Sequence, residues 1–471
     1  MPSRKLHLAA TDSVVERGLE LIREERVIPS AFPPEVLAEA QAAVPRLPER
    51  DLRDVPFITI DPPGARDLDQ ALHLEARPGG YRVWYAIADV AAFVTPGGAM
   101  DTEARFRGLT MYGPDRRTLL YPGVISEGAA SLLPDEDRPA LVWTIDLDES
   151  GVVESTGVER AMVRSRQQLD FPSVQSQLEA GGAPASMKLL AEVGRLRQLA
   201  EQGRGAVNLP VPEQLVVKVD GGWGLVYRQP LPVEGWNAQI SLLVGMEAAR
   251  LMVEAGTGLL RTLPPTSAKE LSWIRRVAKA LDVAWPAGAA YPDVIRSLNP
   301  RIPSHAALLA EASSLLSGAG YQVIEPGVTP EQHSAIAALY AHATAPLRRL
   351  VDRFVGECCL SISAGREVPE WVAEALPLLP EIMARSESIA NGYESACVNL
   401  VEAALLSDRV GDVFTGVVVD VDRDAPHGEV QIREPAVHAR IEDGDLRLGE
   451  EIRVRVAEAS VPDRRVRFAR A

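Results

Sequence analysis

The residues with the clearest chemical content lie in Thr-Ile-Asp-Pro-Pro-Gly-Ala-Arg-Asp-Leu-Asp-Gln-Ala-Leu, positions 59–72. A β-rich run ends at Asp61, a Pro-Pro-Gly turn follows, and Asp67 and Asp69 come at alternate positions. In extended backbone, residues two apart project to the same face, so Asp67 and Asp69 share a side. The turn can bring Asp61 back toward them. Three carboxylates at a strand end repel one another unless a hard cation neutralises them. Magnesium takes oxygen ligands and keeps positions for water and phosphate. The same residues are also ordinary turn chemistry, since aspartates close Asx-turns and cap helices. Spacing alone leaves both readings open.

The elements that must position these acids follow from periodicity. From Val55 the runs VPFITID, ALHLEA and YRVWYAIADV are β-rich and bounded by Pro, Gly and Asp. LVWTIDLDESGVV and GVERAMVRS predict a hairpin about an Asp-Glu-Ser-Gly turn. After Gln168, helical spacing is predicted over 185–203, 237–256, 268–282, 303–318, 330–342, 346–364 and 380–407. Strands first and helices later make an α+β domain over 51–408. Before it, residues 1–50 carry VVERGLELIREERV and PPEVLAEAQAAV, a small helical region in which a helix-turn-helix is the expectation. After it, residues 409–471 hold about five short alternating strands separated by Gly, Asp and Pro, the pattern of a small OB-type β-barrel.

Composition narrows the class. The 471 residues are 46% hydrophobic and 24% charged, as in ordinary globular chains. A net charge of −16 argues against binding duplex DNA along the outer surface, and so against a DNA regulator built on the N-terminal helices. It leaves room for a locally basic channel beside acids that need a metal. No run of about 18 apolar residues predicts a membrane span, and the first residues lack the apolar core of a secretory signal. The expectation is a cytoplasmic protein. Cys358, Cys359 and Cys397 form no C-x-x-C pair, so neither a disulfide framework nor a zinc site is read from them.

The segment around Asp61 resembles the signature of the ribonuclease II / RNase R (RNB) family of 3′→5′ exoribonucleases. The similarity continues in order through AIADVAAFVTPGGAMDTEARFRGLTMYGPDRRTLLYP (86–122), VISEGAASLLPDEDRPAL (124–141), RGAVNLPVPE (204–213) and HSAIAALYAHATAPLRRLVD (333–352). The resemblance implies an RNB-type catalytic domain followed by an S1-type OB barrel. It implies hydrolytic, processive degradation of single-stranded RNA to nucleoside 5′-monophosphates. A channel enclosed within one chain requires no oligomer, so a monomer is the expectation. Mg2+ is the implied cofactor, two ions in the family's manner, with Mn2+ as a substitute.

The resemblance also places Asp61, Asp67 and Asp69 as metal ligands and Gln70 where the family has a fourth acid. Asp69 and Arg348 become the catalytic pair. Tyr112, Phe171, Arg348, Arg349 and Glu394 become the RNA-binding set, with Arg453, Arg455, Arg464, Arg465 and Arg467 available on the terminal barrel. The sequence departs from the family pattern at Gln70, Ala345 and Leu350, in NAQISLLVGME (237–247), and at Arg261-Thr262-Leu263. Its first fifty residues are too few for the two cold-shock domains that relatives carry there. Gln70 keeps a second reading alive: an RNA-binding protein on the same scaffold whose nuclease activity has lapsed.

Overall fold

The computed structural model describes residues 12–471 apart from 210–212, 220–221, 422–426, 433 and 443–444. The chain opens with α1 (Asp12–Glu25) and α2 (Pro34–Ala42). It then runs through β1 (Phe57–Asp61), β2 (Gln70–Arg77), β3 (Gly80–Ala88), α3 (Ala99–Arg107), β4 (Met111–Tyr112), β5 (Arg117–Thr118), β6 (Asp137–Asp148) and β7 (Val153–Asp170). Strands β1, β2, β3, β6 and β7 close into a barrel in that order. Alternating residues fill it, with Phe57, Tyr85 and Trp143 fully buried. The predicted β6–β7 hairpin is present, its turn closed by Asp148 N donating to Val152 O at 2.9 Å. Strand β1 runs parallel to β7, so Asp61 at the end of β1 stands opposite Asp170.

Helices follow: α4 (Phe171–Glu179), α5 (Ala185–Gly203), the hairpin β8 (Glu213–Val219) and β9 (Gly222–Arg228), then α6 (Pro232–Ala255). Gly194 on α5 faces Trp236 on α6, where a Cβ would come within 2.4 Å of the Trp236 Cβ; the missing side chain sets how closely the two helices pack. Strands β10 (Leu259–Thr262) and β11 (Gly320–Val323) pair with each other, and the lobe α7 (Ala268–Ala280), α8 (Tyr291–Ser297) and α9 (Pro303–Ser314) is inserted between them. After a long irregular segment come α10 (Leu350–Ser363), α11 (Glu370–Ala373) and α12 (Leu379–Leu406).

The terminal strands β12 (Val413–Val421), β13 (Gly428–Ile432), β14 (Val437–Ile441), β15 (Glu451–Ser460) and β16 (Arg465–Arg470) close a second barrel in the order β12-β13-β14-β16-β15. This is the five-stranded OB arrangement expected from the alternation. Helix α12 joins the two regions. Leu379 and Met383 near its start belong to the first core, whereas Leu400, Val401 and Leu405 belong to the core shared with the terminal barrel. At 28 residues it is roughly 42 Å long.

Two expectations need correction. Helices α1 and α2 do not make a helix-turn-helix unit. Val15, Leu19 and Ile22 of α1 are buried with α12 and the terminal barrel, while Val36 and Ala40 of α2 join the first core. The stretch 330–342 is not helical. Its amides and carbonyls are spent on neighbouring elements, with Ala341 N donating to Gly245 O at 3.0 Å and Tyr340 O accepting from Arg261 N at 2.8 Å. All three cysteines are free and buried. Among the described residues no helix is long and apolar enough to cross a membrane.

Candidate active site

Two loops and two strand ends meet at one end of the first barrel. The loop 62–69 is pinned from below: Leu68 N donates to Ser131 Oγ at 3.0 Å, and that hydroxyl donates to Arg66 O at 2.7 Å. The pin aims Asp67 and Asp69. Asp69 is 3% exposed; its Oδ1 accepts from Leu347 N at 2.7 Å, and its Oδ2 lies 3.4 Å from Arg348 Nε. Asp67 accepts from Arg117 and, at 3.2 Å, from the Tyr112 hydroxyl. Tyr112 reaches it because Thr110 N donates to Arg348 O at 2.9 Å, which lays the segment between α3 and β4 along the arginine loop. The Tyr112 residue remains 49% exposed, so its hydroxyl is committed while its ring is open. Phe171 opens α4 directly after Asp170, beside the end of β1, and packs partly on the barrel core.

Gln70 uses its side-chain nitrogen on Thr344 O. The loop 341–349 is thus tied to β2 by two neighbours of opposite character, with Asp69 accepting from its backbone and Gln70 donating to it. An aspartate in place of Gln70 could not donate. We expect Gln70→Met to lower turnover about tenfold, the scale of one lost hydrogen bond, and to speed amide exchange at Leu347. A changed cation affinity with unchanged exchange would instead make Gln70 a metal ligand.

The two adjacent arginines have separate tasks. Arg348 is exposed and points at Asp69, whereas Arg349 is turned inward and pairs at 2.8 Å with Asp352. Asp352 also accepts from Ala345 N at 2.7 Å. Glu394 is exposed on α12. The α12 carboxylate that meets other side chains near the site is Glu387. Arg261 Nη1 donates to both its oxygens at 2.8 and 3.0 Å, and the Tyr321 hydroxyl lies at 3.3 Å from it. Tyr321 also meets His342 Nδ1 at 2.8 Å. Burial, followed by the nearby arginines, holds His342 well below the usual histidine range, so it is neutral at pH 7. None of Arg117, Ser131, Arg261, Tyr321, His342 or Glu387 was singled out from spacing as a site residue.

Burial pushes the Asp61 carboxyl up to about 7 and the Asp69 carboxyl up to about 8. Among the described residues Asp61 Oδ2 is buried without a hydrogen-bond partner. Among the described residues no three His, Cys, Asp or Glu side chains already stand as one ligating cluster. Asp67 is turned to Arg117 and Tyr112, and Asp69 to Leu347 and Arg348. An all-oxygen donor set with a buried orphan oxygen and two carboxyls short of positive charge fits a hard divalent cation.

A pH dependence follows. In the cation-free fold these groups keep protons that the unfolded chain releases near pH 4. The native state therefore binds more protons through the window up to about 7 and about 8, and stability is greatest below it and falls as pH rises through it. Cation binding must displace those protons. Titration calorimetry in buffers of different ionisation enthalpy should show proton release and an affinity for Mg2+ or Mn2+ that climbs across the same window. An affinity flat with pH would contradict the assignment.

The RNB domain family matches residues 49–358, and the RNase II-type exonuclease C-terminal S1 domain matches residues 412–471. Ribonuclease R of Aquifex aeolicus is 25% identical over 434 residues, covering 86% of this chain and 60% of that protein. Ribonuclease R of Thermotoga maritima is 24% identical over 439 residues, covering 88% and 61%. The chain thus spans about three-fifths of the length of these relatives. Among solved structures, Mycoplasma genitalium RNase R in complex with ribose methylated single-stranded RNA superposes with a TM-score of 0.88 at 18% identity, over 97% of this chain and 78% of that one. Yeast Ssd1, a pseudonuclease, superposes with a TM-score of 0.69 at 17% identity, over 93% and 57%. With a family match over residues 49–358, more than half of the sequence, the chain belongs to the RNB domain family.

Proposed function

We propose that this chain is a hydrolytic, Mg2+-dependent exoribonuclease that shortens single-stranded RNA processively from its 3′ end and releases nucleoside 5′-monophosphates. The observation that carries this reading is the joining of Asp69 to the arginine loop through Leu347 N at 2.7 Å and Arg348 Nε at 3.4 Å. That contact puts a cation-seeking carboxylate and a phosphate-seeking guanidinium on one spot.

Asp61, Asp67 and Asp69 would hold the cation, with Mn2+ able to replace Mg2+. When bound, the cation supplies charge to polarise a water and the scissile phosphate. The rest is done by side chains. Tyr112 steadies Asp67 through its hydroxyl and offers its open ring to the last base, a contact worth about 1–3 kcal/mol and tolerant of sequence. Phe171 offers a second aromatic surface beside Asp61. Arg348 forks onto phosphate oxygens and stabilises the charge that grows on them. The water oxygen bonds to phosphorus, the bond to the 3′ oxygen of the preceding nucleotide breaks, and that oxygen takes up a proton. Arg349 holds the loop through Asp352 instead of touching RNA. Glu387 is the α12 acid we assign beside the terminal nucleotide, in preference to Glu394. We further propose a cytoplasmic monomer.

The second reading, RNA binding without cleavage, draws on Gln70, whose neutral amide nitrogen is spent on Thr344. One experiment separates the two. Incubated with 5′-labelled poly(A) and Mg2+, the protein should release mononucleotides while the remaining substrate stays long, with few intermediates. Binding of the same RNA with no shortening would favour the second reading.

A further inference from the structure

A chain with a net charge of −16 must gather its phosphate-binding cations locally. Most arginines cannot serve because they are already paired. On the terminal barrel, for example, Arg464, Arg465 and Arg467 meet Glu25, Glu458 and Glu442. Helix α7 is different. Lys269, Arg275, Arg276 and Lys279 are all exposed, and among the described residues none of them makes an ion pair. At about 100° per residue these four positions fall within an arc of about 120°. Ile274, Val277 and Ala278 occupy the opposite, buried side. The acid on this helix, Glu270, is turned back to cap Ser267 N at 2.7 Å.

Aromatic rings lie among these cations. The Arg276 guanidinium sits 5.5 Å from the Trp273 ring, and the Arg275 guanidinium 5.5 Å from the Trp285 ring. Arg275, Lys279, Asp282 and Trp285 line an open cleft of ≈ 590 Å³. Asp282 is the one acid in that lining. The lobe's position adds a reason. It is inserted between β10 and β11, the strands that carry Arg261 and Tyr321 to Glu387. Its other side meets the terminal barrel, where Gly449 lies so near that a Cβ would stand 2.3 Å from Leu281 at the end of α7. Arg453 and Arg455 project from that barrel at alternate positions of β15, exposed and, among the described residues, without an ion pair.

We infer that the cationic face of α7 binds the phosphates of RNA upstream of the nucleotides held in the active site. The inference rests on the RNA-degrading reading above and adds a surface to it. Four cations on one helix face suit a flexible polyanion, and tryptophans beneath guanidiniums suit bases that stack without sequence preference. Such a surface would lengthen the gripped stretch of RNA without altering the chemistry, so its signature is dependence on chain length and salt.

The test compares wild type with Arg275→Gln/Arg276→Gln/Lys279→Gln and, separately, the single exposed change Lys269→Glu. Fluorescence anisotropy measures affinity for a short and a long labelled oligoadenylate over a salt series in Ca2+. Turnover of the short oligonucleotide in Mg2+ checks that the fold and site are intact. The triple variant should bind the long RNA about tenfold more weakly at low salt, and its log–log salt slope should shrink by about 2. Its affinity for the short RNA and its turnover of it should stay unchanged, and Lys269→Glu should shift long-RNA affinity in the same direction. Unchanged affinity for the long RNA in both variants overturns the inference. So does loss of binding to polyglutamate with RNA binding intact, which would assign the face to an acidic protein. Failure of the wild type to bind either RNA would instead remove the RNA-degrading reading itself.

Discussion

Asp69→Asn is expected to lower turnover of single-stranded RNA by about a thousandfold, roughly 4 kcal/mol of transition-state stabilisation, with little loss of RNA affinity. The asparagine fits the space. Its oxygen can still accept from Leu347 N, the 2.7 Å contact that shapes the loop. Its amide nitrogen, however, then faces Arg348 Nε, which now stands 3.4 Å from a carboxylate oxygen. Two donors meet where a donor met an acceptor, and the cation loses a negative ligand. Stability should move the other way. Burial already pushes the Asp69 carboxyl up to about 8, so a neutral residue removes the cost of holding a charge at 3% exposure. The cation-free variant should therefore melt slightly above the wild type at pH 8. Turnover within tenfold of wild type would remove Asp69 from the chemistry.

The second large effect separates two adjacent arginines. Arg348→Ala should cost about a hundredfold to a thousandfold in turnover, the range seen when one preorganised charge-stabilising donor is lost, and leave the melting temperature almost unchanged. Its guanidinium is 43% exposed and makes one long contact to Asp69, so little of the fold depends on it. Lysine should rescue poorly, because a point charge lacks the fork that grips two phosphate oxygens. Arg349→Ala should fail differently. It strands Asp352, whose side chain is 0% exposed, and breaking such a buried pair costs about 3–5 kcal/mol. Its thermal midpoint should fall by many degrees, with activity following the folded fraction. Equal melting losses in both variants would refute the division of labour.

The terminal barrel was legible in the sequence because its strands alternate cleanly, as in Glu451–Val456, where every second residue is buried. The first domain was expected as a mixed β-sheet packed with helices. Its closure into a barrel was not legible because it rests on β1 pairing with the distant β7. Helix α5 was legible to the residue, since its apolar spacing begins after Pro184 and ends beside Gly205. The segment 330–342 misled because its alanines and apolar residues mimic a helical pattern. Nothing local states that its backbone will be claimed by Gly245 and Arg261. The acid cluster was visible through its turn and its alternate aspartates. The Arg261–Tyr321–Glu387 group was not, because its members lie 66 and 126 positions from Glu387. Glu387 and Glu394 show why helical phase alone cannot choose a site residue. Seven positions apart, they share nearly the same face, and only the height along the helix, about 10 Å, distinguishes them.

Helix α1 also constrains how the protein is made. Its buried face belongs with α12 and the terminal barrel, and Arg23 donates to the Tyr393 hydroxyl across 370 positions of sequence. At about 5–20 residues per second, a ribosome needs roughly 20–75 s to deliver that partner after the helix emerges. Throughout that interval Val15, Leu19 and Ile22 lack the α12 part of their native cover, so this amphipathic face stays partly open to chaperones until α12 has been made.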